Sequence, residues 1–155
     1  MADSIIEQIT DNIQTALHGV TTYGGTTTCE RERVDGPEIN GRFPFVELSG
    51  PYGEIETQIS DVAIHTLTYI AKYQINVNDR GTSANTEITY VTRNVTADLI
   101  KAVNADRTRG GIAQKTIATD YEYGFEQNNQ GLLFAIYIVF EVRARLDATD
   151  PYQTK

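Results

Sequence analysis

Apolar residues recur along the chain in two rhythms. Ile5, Ile6, Ile9, Ile13, Ala16 and Leu17 fall at helical spacing, which sets them in one stripe of a helix from about Ser4 to Leu17. Ser4 and Glu7 stand at its start with the spacing of a capping box, in which the hydroxyl takes a backbone N–H and the carboxylate reaches back. The opposite face carries Glu7, Gln8, Asp11 and Gln14 and meets water or a polar partner. A second helical rhythm, Ile88, Val91, Val95, Leu99 and Ala102, predicts a helix from about Asn85 to Val103.

Between and after these helices the period drops to two. Thr26 to Val34 reads as a strand by its threonines and alternation, with Glu30 and Glu32 on one side and Arg31 and Arg33 on the other, so that neither side is apolar. After the loop Asp35–Gly41, Arg42 to Leu48 is strand-like, with Pro44 placing it at an edge or a strand start. Ser49–Gly53 is expected to end that run, followed by a polar connection through Glu54, Glu56 and Asp61. From Leu67 to Val77 the odd positions are apolar or aromatic and most even ones polar, the mark of a strand with one face in the core and one in water. Asp79–Ser83 then turns the chain into the second helix, and Gly110-Gly111 ends the helical region. Ile117, Thr119, Tyr121, Tyr123 and Phe125 alternate as a strand that turns at Gln127–Gly131 into a return strand from Leu132 to about Leu146, a predicted hairpin.

The return strand carries the main physical clue. Its even positions, Leu132 through Leu146, are all apolar, while its odd positions are apolar first (Leu133, Ala135, Tyr137, Val139) and then charged (Glu141, Arg143, Arg145). The element order α-β-β-β-α-β-β predicts an α+β domain spanning 1–155. Both helices lie on one face of a largely antiparallel or mixed sheet, with an extended charged β-hairpin or arm added. Two helices cover one face only. Leu133, Tyr137 and Val139 therefore call for another cover, which a neighbouring copy of the chain can supply.

Composition narrows the function classes. The 155 residues hold 13 Lys+Arg against 21 Asp+Glu, a formal net charge of −8, the wrong sign for a protein that mainly grips phosphates. No apolar stretch approaches the roughly 18 residues of a membrane span, and the opening Met-Ala-Asp-Ser is neither basic nor followed by an apolar signal core, which points to synthesis in a cytoplasm. The single cysteine, Cys29, excludes an internal disulfide and a multi-cysteine zinc site.

Catalytic motifs are missing: there is no phosphate-binding glycine-lysine loop, dinucleotide fingerprint, His-Glu-x-x-His, nucleophile elbow or EF-hand loop. His18 and His65 with Asp61 have no spacing that demands a metal, and pairs such as Glu54 with Glu56 or Asp120 with Glu122 are commoner as acidic strand edges than as acid/base dyads. Asn94-Val95-Thr96 matches a glycosylation sequon but falls inside a predicted helix. The Glu30–Arg33 run reads either as a solvated arm or as an arm whose charges select a partner. Arg143 and Arg145 form a basic strip that suits an acidic neighbour or a solvated strand end.

The amphipathic first helix, the strand Phe43-Pro44-Phe45-Val46-Glu47-Leu48, the long alternating strand feeding a helix, and the ending Phe140–Leu146 with Asp150-Pro151-Tyr152 resemble the tail terminator proteins of tailed bacteriophages, the minor tail protein U-like group. The resemblance covers nearly the whole chain. It implies a structural virion protein of tail and neck, assembled in the host cytoplasm, without catalytic, metal or cofactor sites. It further implies a homo-oligomeric ring, hexameric in that group, which caps the tail tube protein and joins the head-tail connector or stopper, with the tail sheath as a further candidate neighbour and DNA passing through the lumen unbound. The candidate contact residues, taken from the charge and apolar patterns and not from the resemblance, are Glu30, Arg31, Glu32, Arg33, Leu133, Tyr137, Val139, Arg143 and Arg145. A neck adaptor or another minor tail protein fits the same pattern. A small cytoplasmic enzyme or ligand-binding domain, with the tyrosine-rich sheet face as pocket wall, is the reading from another class.

Overall fold

A computed structural model describes residues 3–32, 43–59, 61–76, 88–128, 131–150 and 152–154, without the side chains of 56–59 and 128. Helix α1 is Ile5–Leu17 and begins as its sequence predicts, with the Ser4 hydroxyl accepting the Glu7 N–H at 3.2 Å. A two-residue ribbon follows, β1 (Thr21–Thr22) with β2 (Gly25–Thr26). Then come β3 (Thr28–Arg31), β4 (Phe45–Ile59), β5 (Val62–Asn76), helix α2 (Ile88–Asn104), β6 (Lys115–Asn128) and β7 (Gly131–Asp147). The five long and short strands β3 to β7 make one mixed sheet in the order β3-β4-β5-β7-β6, parallel only between β3 and β4. The architecture is α+β.

Both helices lie on one face of that sheet. The buried stripe of α1 (Ile5, Ile9, Ile13, Leu17) and that of α2 (Val91, Val95, Leu99, Val103) share one cluster with the odd positions of β5 from Leu67 to Ile75 and the even positions of β7 from Phe134 to Leu146. Each fully buried aliphatic or aromatic side chain in it contributes on the order of 1.5–3 kcal/mol. The two tyrosines that alternation places in this core find partners for their hydroxyls, as burial requires. Tyr69 Oη lies 2.9 Å from Thr10 Oγ1 on α1, and Tyr73 Oη lies 2.8 Å from Thr22 Oγ1 on β1. Gly24 makes the second contact feasible: a Cβ there would stand 2.6 Å from Tyr73 Oη.

Three sequence expectations change. Ser49–Gly53 does not end its strand; β4 runs on to Ile59, with the ladder shifting register between Ser49 and Tyr52. Gly50 permits this, because its φ of +106° and the 2.7 Å from a built Cβ to the Thr68 carbonyl exclude any side chain there. The stretch that holds Glu54 is therefore paired strand. Second, Ile117 does not share a face with Tyr121, Tyr123 and Phe125. A bulge between Ala118 and Asp120 turns the alternation over, so Ile117 opposes Glu141 while Tyr121 opposes Ile138. Third, the charged strand is interrupted at Thr27, whose hydroxyl accepts the Val20 N–H at 2.9 Å and donates to the Leu17 carbonyl at 2.6 Å. Its described part, β3, pairs parallel with β4 and buries Cys29. The remainder of the charged arm, the loop 35–41, the turn 79–83 and the start of the second predicted helix lie outside the described residues.

Past α2 the chain closes over a buried arginine. Arg109, at φ +50°, donates from Nη2 to the Val103 carbonyl, a cation at the negative end of the helix. Asp106 holds the same turn through Gly110 N–H at 2.6 Å and Thr108 N–H at 3.2 Å.

Ile136, wholly buried between sheet and helices, tests the layering. Ile136→Asp leaves a charge without a partner in that layer, and we expect loss of the cooperative urea transition. A transition displaced by only about 1 kcal/mol contradicts the assignment of that face.

Candidate interaction surface

The sheet face turned away from the helices is built by register. One row crosses all five strands: Glu30 on β3, Glu47 on β4, Lys72 on β5, Tyr137 on β7 and Glu122 on β6. Lys72 is its only cation. Its Nζ lies 2.7 Å from Glu126 Oε2 and 5.7 Å from the centre of the Tyr137 ring, and Tyr137 Oη donates to Glu126 Oε1. Burial is the largest influence on Glu126, but Lys72 and Tyr137 outweigh it and hold its carboxyl below the usual range. Burial together with Glu126, Glu122 and Glu47 pushes Tyr137 up to about 12. Burial, with Glu32 and Glu126 adding repulsion, raises Glu47 despite Lys72. This half of the face is acidic.

The other half mixes cations with Glu54 and Glu141, which share its rows with Thr66, Arg143 and Thr68. Arg143 and Arg145 are exposed on β7, and Lys115 on β6 stands opposite Arg143. A shallow depression there is lined by Thr66, Lys115, Ile117, Glu141 and Arg143. Between the halves runs an apolar strip in which Val139 is flanked in register by Ile70 and Asp120. Val139, Ile70 and Tyr137 are partly buried, and Ile117 is 37% exposed. The open face thus carries an acidic half, a partly open apolar strip and a half in which Lys115, Arg143 and Arg145 stand among Glu54 and Glu141.

Not every candidate residue belongs to this surface. Leu133 and Ala135 are wholly buried, and so are their row neighbours Asn76, Gln74 and Phe45, so the hairpin end of the face is already closed within the chain. The expectation that Leu133 needs a neighbour's cover is corrected; Tyr137 and Val139 are the residues left partly open. Arg31 is also engaged internally. It pairs with Glu7 and Asp11 and donates from Nε to Gln14 Oε1 at 3.1 Å, all on α1. Burial works against its charge, but the two carboxylates outweigh it and raise its pKa. The acidic side of the first helix is therefore tied to its own β3, with Glu7 and Asp11 still partly open to solvent. Glu30 sits partly buried in the acid row and Glu32 is exposed, while Arg33 lies outside the described residues.

Sequence reasoning passed over the outer edge of the sheet. Tyr121, Tyr123 and Phe125 on β6 point to the helix side yet remain 50%, 48% and 51% exposed, because β6 is the edge strand and α2 does not reach across them. Tyr123 and Phe125 lean on Phe134, with ring centres 5.9 and 5.3 Å apart. A groove of about 410 Å³ between α2 and β6 is lined by Thr89, Thr92, Arg93, Tyr121, Glu122 and Tyr123. The aromatic-acid alternation of Asp120–Glu126 was legible; its place at an edge was not. Among the described residues no three histidine, cysteine or carboxylate side chains converge on a metal position, and His18 Nδ1 accepts the Cys29 N–H at 3.1 Å. No helix among the described residues is long and apolar enough to cross a membrane. No family model matches the chain, and no curated protein is significantly similar to it.

The two arginine settings separate cleanly. Arg31→Glu sets a carboxylate against Glu7 and Asp11, and we expect a loss of roughly 1–2 kcal/mol in urea unfolding. Arg145→Glu, at an exposed strand end, is expected to change stability by under about 0.5 kcal/mol. Equal effects contradict the internal role of Arg31.

Glu47 has a raised pKa in the folded chain, so its ionisation opposes folding as pH rises through the ordinary carboxylate range and above. Glu47→Gln is expected to raise the urea midpoint at pH 7 and to leave it unchanged near pH 3, where the carboxyl is protonated in both states. A variant less stable than the parent at pH 7 contradicts the reading that burial makes this carboxylate costly to ionise.

Proposed function

We propose that this chain is a structural, ring-forming subunit of a tailed-bacteriophage virion, a tail terminator that caps the tail tube and joins it to the head connector. The observation that carries the reading is the open sheet face. No described helix covers it, it keeps a partly exposed apolar strip at Tyr137, Val139, Ile70 and Ile117, and it gathers carboxylates toward one end while Lys115, Arg143 and Arg145 stand with Glu54 and Glu141 toward the other. A surface of that kind excludes water when a second surface is laid on it, and its charges set the register of the contact. Repetition of a head-to-tail contact whose rotation divides the circle closes a ring.

The net charge of −8 is consistent with this role. DNA adheres to proteins through Lys and Arg that displace condensed counterions, and a ring through which DNA moves benefits from a lumen poor in those residues. The absence of catalytic motifs from the sequence is in keeping with a structural protein.

Val139→Lys tests the reading. The side chain lies beside Asp120 in register and its long stem can carry the charge to solvent, so we expect a folded monomer. With purified tail-tube subunits present, light scattering and electron microscopy are expected to show rings on tube ends for the parent chain and bare, overlong tubes for the variant. Parent protein that neither forms rings nor binds tubes contradicts the terminator role, and binding to filled heads instead of tubes assigns the chain to the neck.

A further inference from the structure

The sheet has two edges, and only one is guarded. At β3 the strand is four residues long, and α1 reaches over it through Arg31 and through Gln14, whose Nε2 donates to the Cys29 carbonyl at 3.3 Å. At the other edge β6 runs for 14 residues and, among the described residues, pairs with β7 on one side only. Natural edge strands are blunted by brevity, proline, lysine or a bulge, since an open row of backbone N–H and C=O groups invites another strand. β6 contains no proline, and its single lysine is its first residue. Its bulge lies at Thr119, with the Asp120 carboxylate accepting the Tyr121 N–H at 2.8 Å. Beyond that point Glu122–Asn128 is regular strand whose charged residues are all acidic and whose outer side meets no other described strand.

The side chains of this stretch state what a strand added there would need. Toward the helices it would lie against the half-exposed rings of Tyr121, Tyr123 and Phe125 and the groove beneath α2. Toward the open face it would meet exposed Asp120 and Glu122, with Glu126 behind them sharing Lys72 with the rest of an acid row. Strand residues alternate between faces, so the complement alternates apolar with basic residues. A second β6 is a poor match, because an antiparallel copy brings the same acidic row against itself.

We infer that the β6 edge is an acceptor for an extended partner segment, held by main-chain pairing along Glu122–Asn128 and selected for alternating apolar and Lys/Arg residues by the aromatic row on one face and the acidic row on the other. This goes beyond the terminator reading and does not depend on it, since the edge is available to the isolated chain.

The test uses the full chain and three fluorescent heptapeptides: alternating valine and arginine, alternating valine and glutamate, and the valine-arginine sequence N-methylated at alternate positions to remove ladder donors. Anisotropy is expected to show the valine-arginine peptide binding at least tenfold more tightly than either control, and Glu122→Lys, an exposed substitution, is expected to weaken it at least fivefold. Amide exchange is expected to slow within residues 121–128 on binding. Equal binding of the glutamate or N-methylated peptide, or protection elsewhere, overturns the inference. Concentration-dependent protection of the same residues by the chain alone, excluding the peptide, assigns the edge to a second copy and also overturns it. Failure to cap tail tubes leaves the peptide result standing, so the two readings fail separately.

Discussion

Two helices cannot cover both sides of a five-stranded sheet, and the remaining features of this chain follow from how that shortage is distributed. The apolar stripes of α1 and α2 are both committed to one face, where they meet β5 and β7. What is left includes a partly open strip around Tyr137 and Val139, exposed Tyr52 and Ile55 on β4, and a row of half-exposed rings on β6. None is large enough to stop the chain folding alone. Each leaves apolar area in water that a contact would cover. The structure therefore resembles a part made to be joined rather than a closed container.

Polar groups do the aligning. Thr10 and Thr22 receive the hydroxyls of Tyr69 and Tyr73, which fixes where α1 and the β1–β2 ribbon sit over β5, and Arg31 ties the acidic side of α1 to β3. On the open face Lys72 is shared by Glu126 and the Tyr137 ring while Glu47 remains under repulsion. Such a row is more useful for choosing a neighbour than for holding the protomer together, because a buried or half-buried carboxylate without a full counter-charge costs stability until a cation arrives.

Much of this was legible in the residues. The Ser4 hydroxyl cap, the odd-position core of β5 and the even-position core of β7 were read correctly because each is set locally, whereas the Glu7 carboxylate goes to Arg31. The extension of β4 through Gly50 and the reversal at Thr119 were not, since a bulge changes which face a residue meets without changing its composition. Leu133 and Arg31 were misread for a different reason. Whether an apolar or charged side chain is satisfied at home depends on elements distant in sequence, here Asn76 on β5 and Glu7 and Asp11 on α1. The exposed rings of β6 were hidden by the opposite error, as alternation alone cannot distinguish an edge strand from a central one.

The central claim is that the face opposite the helices is completed by another molecule. Hydroxyl-radical footprinting of the chain, alone and after assembly with tail-tube subunits, measures this most directly, since tyrosine and valine report their own solvent contact. The account predicts that Tyr137 and Val139 are modified in the free protein and shielded in the assembly, while the solvent side of α1 at Glu7 and Asp11 stays as it was. Unchanged modification of Tyr137 and Val139, with new shielding over α1, would contradict it.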